Sequence, residues 1–226
     1  FPLRPNGTSL SDVSEKFNDD DYKIPLPPRA TSPFQDFGTM VGGHVITSDA
    51  IPNSPNRNTG KLREVLQTPS RIDDSFIIDP DDLTRWGYLK GAKNEDRTTP
   101  SGFTYRYSEG PVTFPDALDR PSRTIVTGEG GSGPSRFKHV VAFRPTKRQR
   151  ERLDLDSEEA RKARELVGIP ESQWLRRLMP VELEKLNGFP PGHTEGASDS
   201  QRAFFMGNAL VCGIVKRIGK AILEND

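Results

Sequence analysis

The sequence predicts an α+β fold: a small, loop-rich domain with short strands, followed by C-terminal helices. Three observations predict it. Only 32% of the 226 residues are apolar, and 20 glycines and 20 prolines interrupt them, so the core is thin and its segments are short. Up to Phe143 the apolar residues fall in brief β-branched or aromatic runs between turn residues. From Thr146 onward, capped patterns of helical period replace them.

Residues 1 to about 60 are rich in Pro, Gly, Asn and Asp, with apolar runs as short as Met40-Val41 and Val45-Ile46; short strands and loops are expected there. "GKLREVLQ" (60–67) is a short helix candidate. "DPDDLTRWGYLKGA" (79–92) is a second, with Asp79 as cap, Pro80 at the first helical position and Gly91 near its end. "FTYRYSEG" (103–110) alternates aromatic and polar residues and reads as a strand, as do "RTIVT" (123–127) and "FKHVVAF" (137–143). Thr146 and Gln149 have capping-box spacing, and Ser157 caps "SEEARKARELVGIP" (157–170), which Gly168-Ile169-Pro170 stops. In "LMPVELEKLNGFP" (178–190), Pro180 suits a first helical position, Glu182 and Glu184 favour the positive end of the helix dipole, and Asn187-Gly188 ends the helix. "FFMGNALVCGIVKRIGKAIL" (204–223) is expected as one last helix, with Val211, Val215, Ile218 and Ile222 on a single apolar stripe.

Composition excludes several classes. Cys212 is the sole cysteine, so there is no internal disulfide, and its apolar neighbours make it a packed small hydrophobe. His44, His139 and His193 lie far apart, and no metal site is expected. No run of about 18 apolar residues occurs, so no membrane partner is expected. "FPLRPNGTSL" lacks the charged and apolar regions of a signal peptide, and Asn6-Gly7-Thr8 is taken as a chance sequon. A first residue other than Met suggests a piece of a longer chain or disordered upstream residues. The 32 basic and 32 acidic residues cancel overall but not locally. Between Arg120 and Arg152 stand Arg120, Arg123, Arg136, Lys138, Arg144, Lys147, Arg148, Arg150 and Arg152, opposed by Glu129 and Glu151 alone; residues 1–82 lean acidic, with Asp19-Asp20-Asp21 among them. Such a stretch is a candidate phosphate footprint.

Within it, Gly128, Gly130 and Gly133 satisfy G-x-G-x-x-G after the run Thr124 to Thr127. A dinucleotide loop needs its third glycine to open a helix, with an acid-ending strand about 20 residues further on. Here Gly133 leads into Pro134-Ser135-Arg136-Phe137, and a charged helix entry stands where the strand should be. Nucleotide binding by this loop is rejected. What remains is a glycine-rich turn flanked by Arg123, Arg136, Lys138 and His139, either a DNA-reading loop or a flexible hairpin with basic neighbours.

The C-terminal stretch carries a resemblance. "RRLMPVELEKLNGFP" (176–190) and "QRAFFMGNALVCGIVKRIGKAI" (201–222) resemble motifs IX and X of the DNA (cytosine-5) methyltransferases, and "LDRPSRTIVTGEGG" (118–131) resembles the lead into that family's target-recognition region. Met179 stands in place of the family's Thr, at a cost of about 1 kcal/mol in capping, and Ala203 in place of a frequent Tyr. The family's F-x-G-x-G, Pro-Cys, Glu-Asn-Val and Q-x-R-x-R segments are not in this chain. The resemblance therefore implies the C-terminal, target-recognition half of such an enzyme, with no catalytic residue of its own.

The resemblance also implies a division of labour along the chain. Residues 1–175 would form the target-recognition domain, with a helical insertion at about 146–170. Residues 176–200 would carry the motif IX helix and loop, and 201–226 motif X and a helix packing on a Rossmann-like catalytic domain. S-adenosylmethionine would be the cofactor, bordered by Asn208 and Ala209. The partners would be double-stranded DNA and an N-terminal catalytic half. Arg123, Thr124, Thr127, Gly128, Glu129, Gly130, Gly131, Ser135, Arg136, Lys138 and His139 would approach the DNA. Arg176, Glu182 and Gly188 would organise motif IX. The setting implied is a bacterial restriction-modification system in the cytoplasm; the alternative is a non-catalytic, sequence-specific DNA-binding module derived from such an enzyme.

Overall fold

A computed structural model describes residues 37–41, 44–48 and 60–224. The sequon at Asn6 and the acidic run at Asp19 lie outside the described residues. The chain divides into two compact units, Phe1–Asn58 and Thr59–Asp226. In the first, β1 (Phe37–Val41) pairs antiparallel with β2 (His44–Ser48), with Phe37 opposite Ser48 and Val41 opposite His44.

The second unit is built around another two-stranded antiparallel sheet, β5 (Val140–Phe143) and β6 (Trp174–Arg177), in which Val140 faces Arg177 and Phe143 faces Trp174. Ile77 extends it through a bridge to Arg176. Apolar side chains cover both faces. Two apolar clusters do so: in one, Val140 and Trp174 join Ile78, Leu83, Trp86, Leu155 and Ala160; in the other, Val141 joins Leu62, Leu178, Leu183, Ala203 and Met206. A strand covered on both faces lacks the alternation of a half-exposed one. The two arginines of "WLRR" hide β6 further, and its sequence alone predicts no strand there.

Helix α1 (Pro80–Lys90) begins as expected: Asp79 accepts from the Asp81 N–H at 2.9 Å, and Pro80 lies at the first position. Its buried Leu83, Trp86 and Lys90 share one face toward the sheet. A second ribbon comes next, β3 (Lys93–Thr98) antiparallel to β4 (Thr104–Glu109). The Thr146–Gln149 capping box opens α2 (Lys147–Arg152), and the Gln149 amide donates to the Pro69 and Ile72 carbonyls. Ser157 caps α3 (Glu158–Val167), which ends on Gly168 in the left-handed region, where glycine carries no Cβ penalty.

Four expectations change. "GKLREVLQ" forms only a single 3-10 turn, Leu62–Glu64. "RTIVT" pairs with no strand, and its end winds into a 3-10 turn, Thr127–Glu129. "FKHVVAF" is strand only from Val140. The last helix is two: α5 (Asp199–Asn208) and α6 (Cys212–Leu223), separated at Ala209–Val211. Between them and β6 lies α4 (Pro180–Leu186). The break turns the chain at motif X, so α5 seats in the core while α6 does not. No helix among the described residues is long and apolar enough to cross a membrane.

Two glycines let α5 approach the 3-10 turn. A Cβ on Gly207 would stand 2.4 Å from the Thr127 backbone N, and one on Gly130 would stand 2.8 Å from the Ser200 carbonyl O. Gly207→Ala gains helix propensity of about 1 kcal/mol, yet the clash is with backbone, which cannot rotate away. We expect a net destabilisation of about 1–3 kcal/mol, read as a lowered midpoint in denaturant unfolding. An unchanged midpoint would mean the two segments do not touch.

Candidate nucleic-acid interface and cofactor edge

The peptide after Asp116 is held against β5 by two buried carboxylates. Asp116 accepts from the Val140 N–H at 2.8 Å and grips the Arg123 guanidinium at 2.6 and 3.2 Å. Arg123 also donates to the Phe137 and Lys138 carbonyls. Glu129 accepts from the His139 backbone N–H and meets its Nδ1 at 2.5 Å. Between these anchors the chain turns at 118–120 and then passes through 121–126 without helix or strand. Ile125 turns into the core beside Leu183, while Thr124, Thr127 and Gly128 face solvent.

Cations shape the glycine loop from within. Lys138, buried, donates to the Gly131 and Gly133 carbonyls at 3.0 and 2.7 Å, and Arg177 donates to Gly131 at 2.7 Å. Burial pushes both Lys138 and Arg177 below their usual pKa values. Lys90 donates to the Arg136 and Lys138 carbonyls; burial, with Arg123 nearby, lowers it to about 8. Arg136 brackets loop and ribbon: it pairs with Glu109 at 2.7 Å and donates to the carbonyls of Leu89, Gly91 and Gly110. Gly131 occupies the left-handed region, and the Ser135 hydroxyl accepts from the Phe137 N–H.

Of the residues expected at DNA, the structure therefore presents Thr124, Thr127, Gly128 and Gly131 to solvent, and leaves Arg123, Gly130, Ser135 and Arg136 half-buried. Glu129, Lys138 and His139 face the interior instead: Glu129 accepts from the His139 N–H, Lys138 donates to the Gly131 and Gly133 carbonyls, and the His139 ring lies between the Glu129 and Ser122 side chains. Arg120, Arg144, Lys147 and Arg148 of the same basic stretch are exposed.

Motif IX rests on buried charge. Arg176 and Glu182 are both fully buried and paired through two bonds of 2.7 Å. The other lone pairs of Glu182 take the N–H groups of Gln67 and Met179 at 2.6 and 2.8 Å. Met179 itself provides no side-chain cap, as expected. Asn187 donates to the Met206 carbonyl and accepts from the Cys212 N–H, both at 2.8 Å, and the left-handed Gly188 abuts the Cys212 Cβ. The end of motif IX is thus bolted to motif X. Asn208 is exposed, its amide donating to Phe204, and Ala209 borders a cleft of about 470 Å³ shared with Ser122, Arg123, Thr124 and Asn187.

Asp116 and Glu184 join the site without any signal in the sequence that singles them out, whereas Ser122 lies in the 118–131 stretch that carries part of the resemblance. Glu184 looks from sequence like an ordinary first-turn acid, and no spacing rule identifies its distant partners. It is fully buried, and accepts from Gly192 and Thr194 N–H groups, the Thr194 hydroxyl and Arg202.

The glycine-rich peptide is thus locked to the segments that resemble motifs IX and X. Residues 82–224 match the family model of the C-5 cytosine-specific DNA methylases, and the chain belongs to that family. It is 35% identical over 193 residues to the type II methyltransferase M.Sau3AI of Staphylococcus aureus, across 85% of this chain and 39% of that protein. The chain thus spans well under half the length of that relative. No solved structure matches it.

Burial alone would raise the Glu184 pKa; the hydrogen bonds from Thr194, Arg202 and Gly192 outweigh it and hold the carboxylate at about 2, from 4.5. A folded pKa below the unfolded one contributes stability above pH 4.5, which is lost as pH falls toward 2. The contribution is on the order of 3 kcal/mol. Glu184→Gln should flatten the acid limb of stability against pH between those values; an unaltered slope in acid titration of the unfolding midpoint would contradict this.

Proposed function

We propose that this chain is the target-recognition part of a DNA (cytosine-5) methyltransferase of a bacterial, cytoplasmic restriction-modification system. A catalytic part would provide the nucleophile and most of the cofactor site. The observation that carries this reading is the backbone contact between Gly207 and Thr127. It joins the motif X residues expected at the cofactor to the peptide expected at DNA as one rigid body. Methyl transfer requires donor and target base to be held within reacting distance, and fixing both edges relative to each other serves that need.

S-adenosylmethionine would supply the methyl group. The exposed Asn208 and half-buried Ala209 at the end of α5 fit one edge of its site, with the remaining walls on the catalytic part. Thr124, Thr127 and the glycine backbone would meet the duplex from which the target cytosine is flipped. Arg120, Arg144 and Arg148 would neutralise phosphates, a term that gives affinity rather than sequence choice.

Helix α6 supports the need for a second body. Ile214, Val215, Ile218 and Ile222 lie on one face and are 46–59% exposed, and no residue of the helix is buried. A stripe of this kind seeks a covering surface, and we assign that surface to the catalytic part.

The test is methyl transfer from labelled S-adenosylmethionine to duplex DNA by this chain joined to its catalytic part, with the modified sites mapped. Methylation of cytosine within one short sequence is expected. Salt-sensitive, sequence-specific binding without transfer would instead establish the non-catalytic DNA-binding module. For the docking face, Ile214→Asp with Ile218→Asp should leave this chain folded, since both side chains are exposed. Each loses about 1.5–3 kcal/mol of burial at the interface, so association should weaken by a factor of roughly 10³. Wild-type affinity in a pull-down or calorimetric titration would move the docking surface elsewhere.

A further inference from the structure

A chain of three side chains, two buried and one half-buried, reaches the recognition peptide from the interior. Ser122 Oγ lies 3.1 Å from His139 Nε2, and His139 Nδ1 lies 2.5 Å from Glu129 Oε1. His139 and Glu129 are buried; Ser122 is half-buried and borders the cleft. Ser122 Oγ also donates to the carbonyl of Arg123 at 2.7 Å. A hydroxyl has one proton. With that proton on the Arg123 carbonyl, Ser122 must accept from Nε2–H, and the 2.5 Å contact between Nδ1 and Glu129 Oε1 is bridged by a second proton that joins ring and carboxylate.

The direction of these bonds matters because of where they end. The Arg123 carbonyl starts the peptide that carries Thr124 and Thr127 to solvent. Its far end is fixed where Gly207 meets Thr127. Arg123's side chain is already held by Asp116, but that grip acts on the guanidinium and not on the peptide plane between Arg123 and Thr124. Ser122 holds that plane. The carboxylate of Glu129 fixes the ring, the ring fixes the hydroxyl, and the hydroxyl fixes the carbonyl.

We infer that Ser122, backed by the His139–Glu129 pair, is a positioning residue that sets the path of the recognition peptide Arg123–Thr127 and thereby the enzyme's discrimination between its target and near-matched sequences. This rests on the proposal that the peptide reads DNA. Ser122 touches no base; it acts through the Arg123 carbonyl, and hydrogen bonding rather than bulk is what it supplies.

The experiment uses the complete methyltransferase and the duplex sequence that site mapping shows it to methylate, beside duplexes altered at single base pairs. The readout is the ratio of kcat/KM for target and altered duplex, with the thermal unfolding midpoint measured in parallel. Ser122→Ala should lower the ratio roughly tenfold, the size of one lost discriminating contact, with the midpoint unmoved. Ser122→Thr keeps the hydroxyl and should restore the ratio. Wild-type discrimination in Ser122→Ala overturns the inference, as does failure of Ser122→Thr to restore it. Failure of the wild-type enzyme to methylate any DNA overturns the parent reading, and the inference with it.

Discussion

The buried pair Arg176–Glu182 is the constraint on which the second unit depends. Strand β6 lies between the two apolar clusters, and Arg176 on it has no solvent to turn to. An isolated charge there would cost several kcal/mol, and removal of either partner about 3–5 kcal/mol. The pair is tolerated because its geometry is bidentate and because the remaining Glu182 acceptors take the Gln67 and Met179 N–H groups. Those bonds draw three separate pieces of chain together: the segment after the first 3-10 turn, β6, and the first turn of α4. Arg176 Nε has no partner among the described residues, so the pair is not perfectly satisfied. Its specificity is the clearer gain, because only one register of β6 puts the guanidinium opposite Glu182.

From that frame the recognition region is hung by charge as well as by apolar contact. Lys90, Arg136, Lys138 and Arg177 all donate to main-chain carbonyls of the glycine loop or its neighbours. A loop with so few side chains to bury has little hydrophobic stabilisation available, and long cationic side chains replace it by reaching under the backbone. Asp116 and Glu129 do the same for N–H groups. The outcome is a surface of backbone and threonines, supported from below by the residues that carry the charge. In the proposed role at DNA such a support would serve binding, because preorganised groups lose less entropy.

Motif X divides between two roles at the break Ala209–Val211. On one side α5 is pressed against the recognition turn, which demands Gly207; on the other α6 carries an apolar face that the described residues leave exposed. One continuous helix could not do both, since its axis would carry the apolar stripe past the point where the chain turns at Asn187.

Local chemistry was legible in the sequence. The caps at Asp79, Thr146 and Ser157, Pro80 and Pro180 at first helical positions, and the motifs that name the family all depend on residues within a few positions of one another. Such signals survive in one dimension because the interactions they encode are short-range. What only the tertiary structure decided was the direction of each charge and the fate of each glycine. Lys138 and Arg136 read as a phosphate footprint because a basic side chain looks the same in sequence whether it meets a phosphate or a buried carbonyl. Strand β6 escaped notice because burial on both faces removed its alternation. Glu184 and Ser122 acquired their roles from partners contributed by separate turns of the chain. The segments 118–131, 176–190 and 201–222 carried the resemblance to the family; three-dimensional packing alone determined which of the chain's polar residues are left to face a partner.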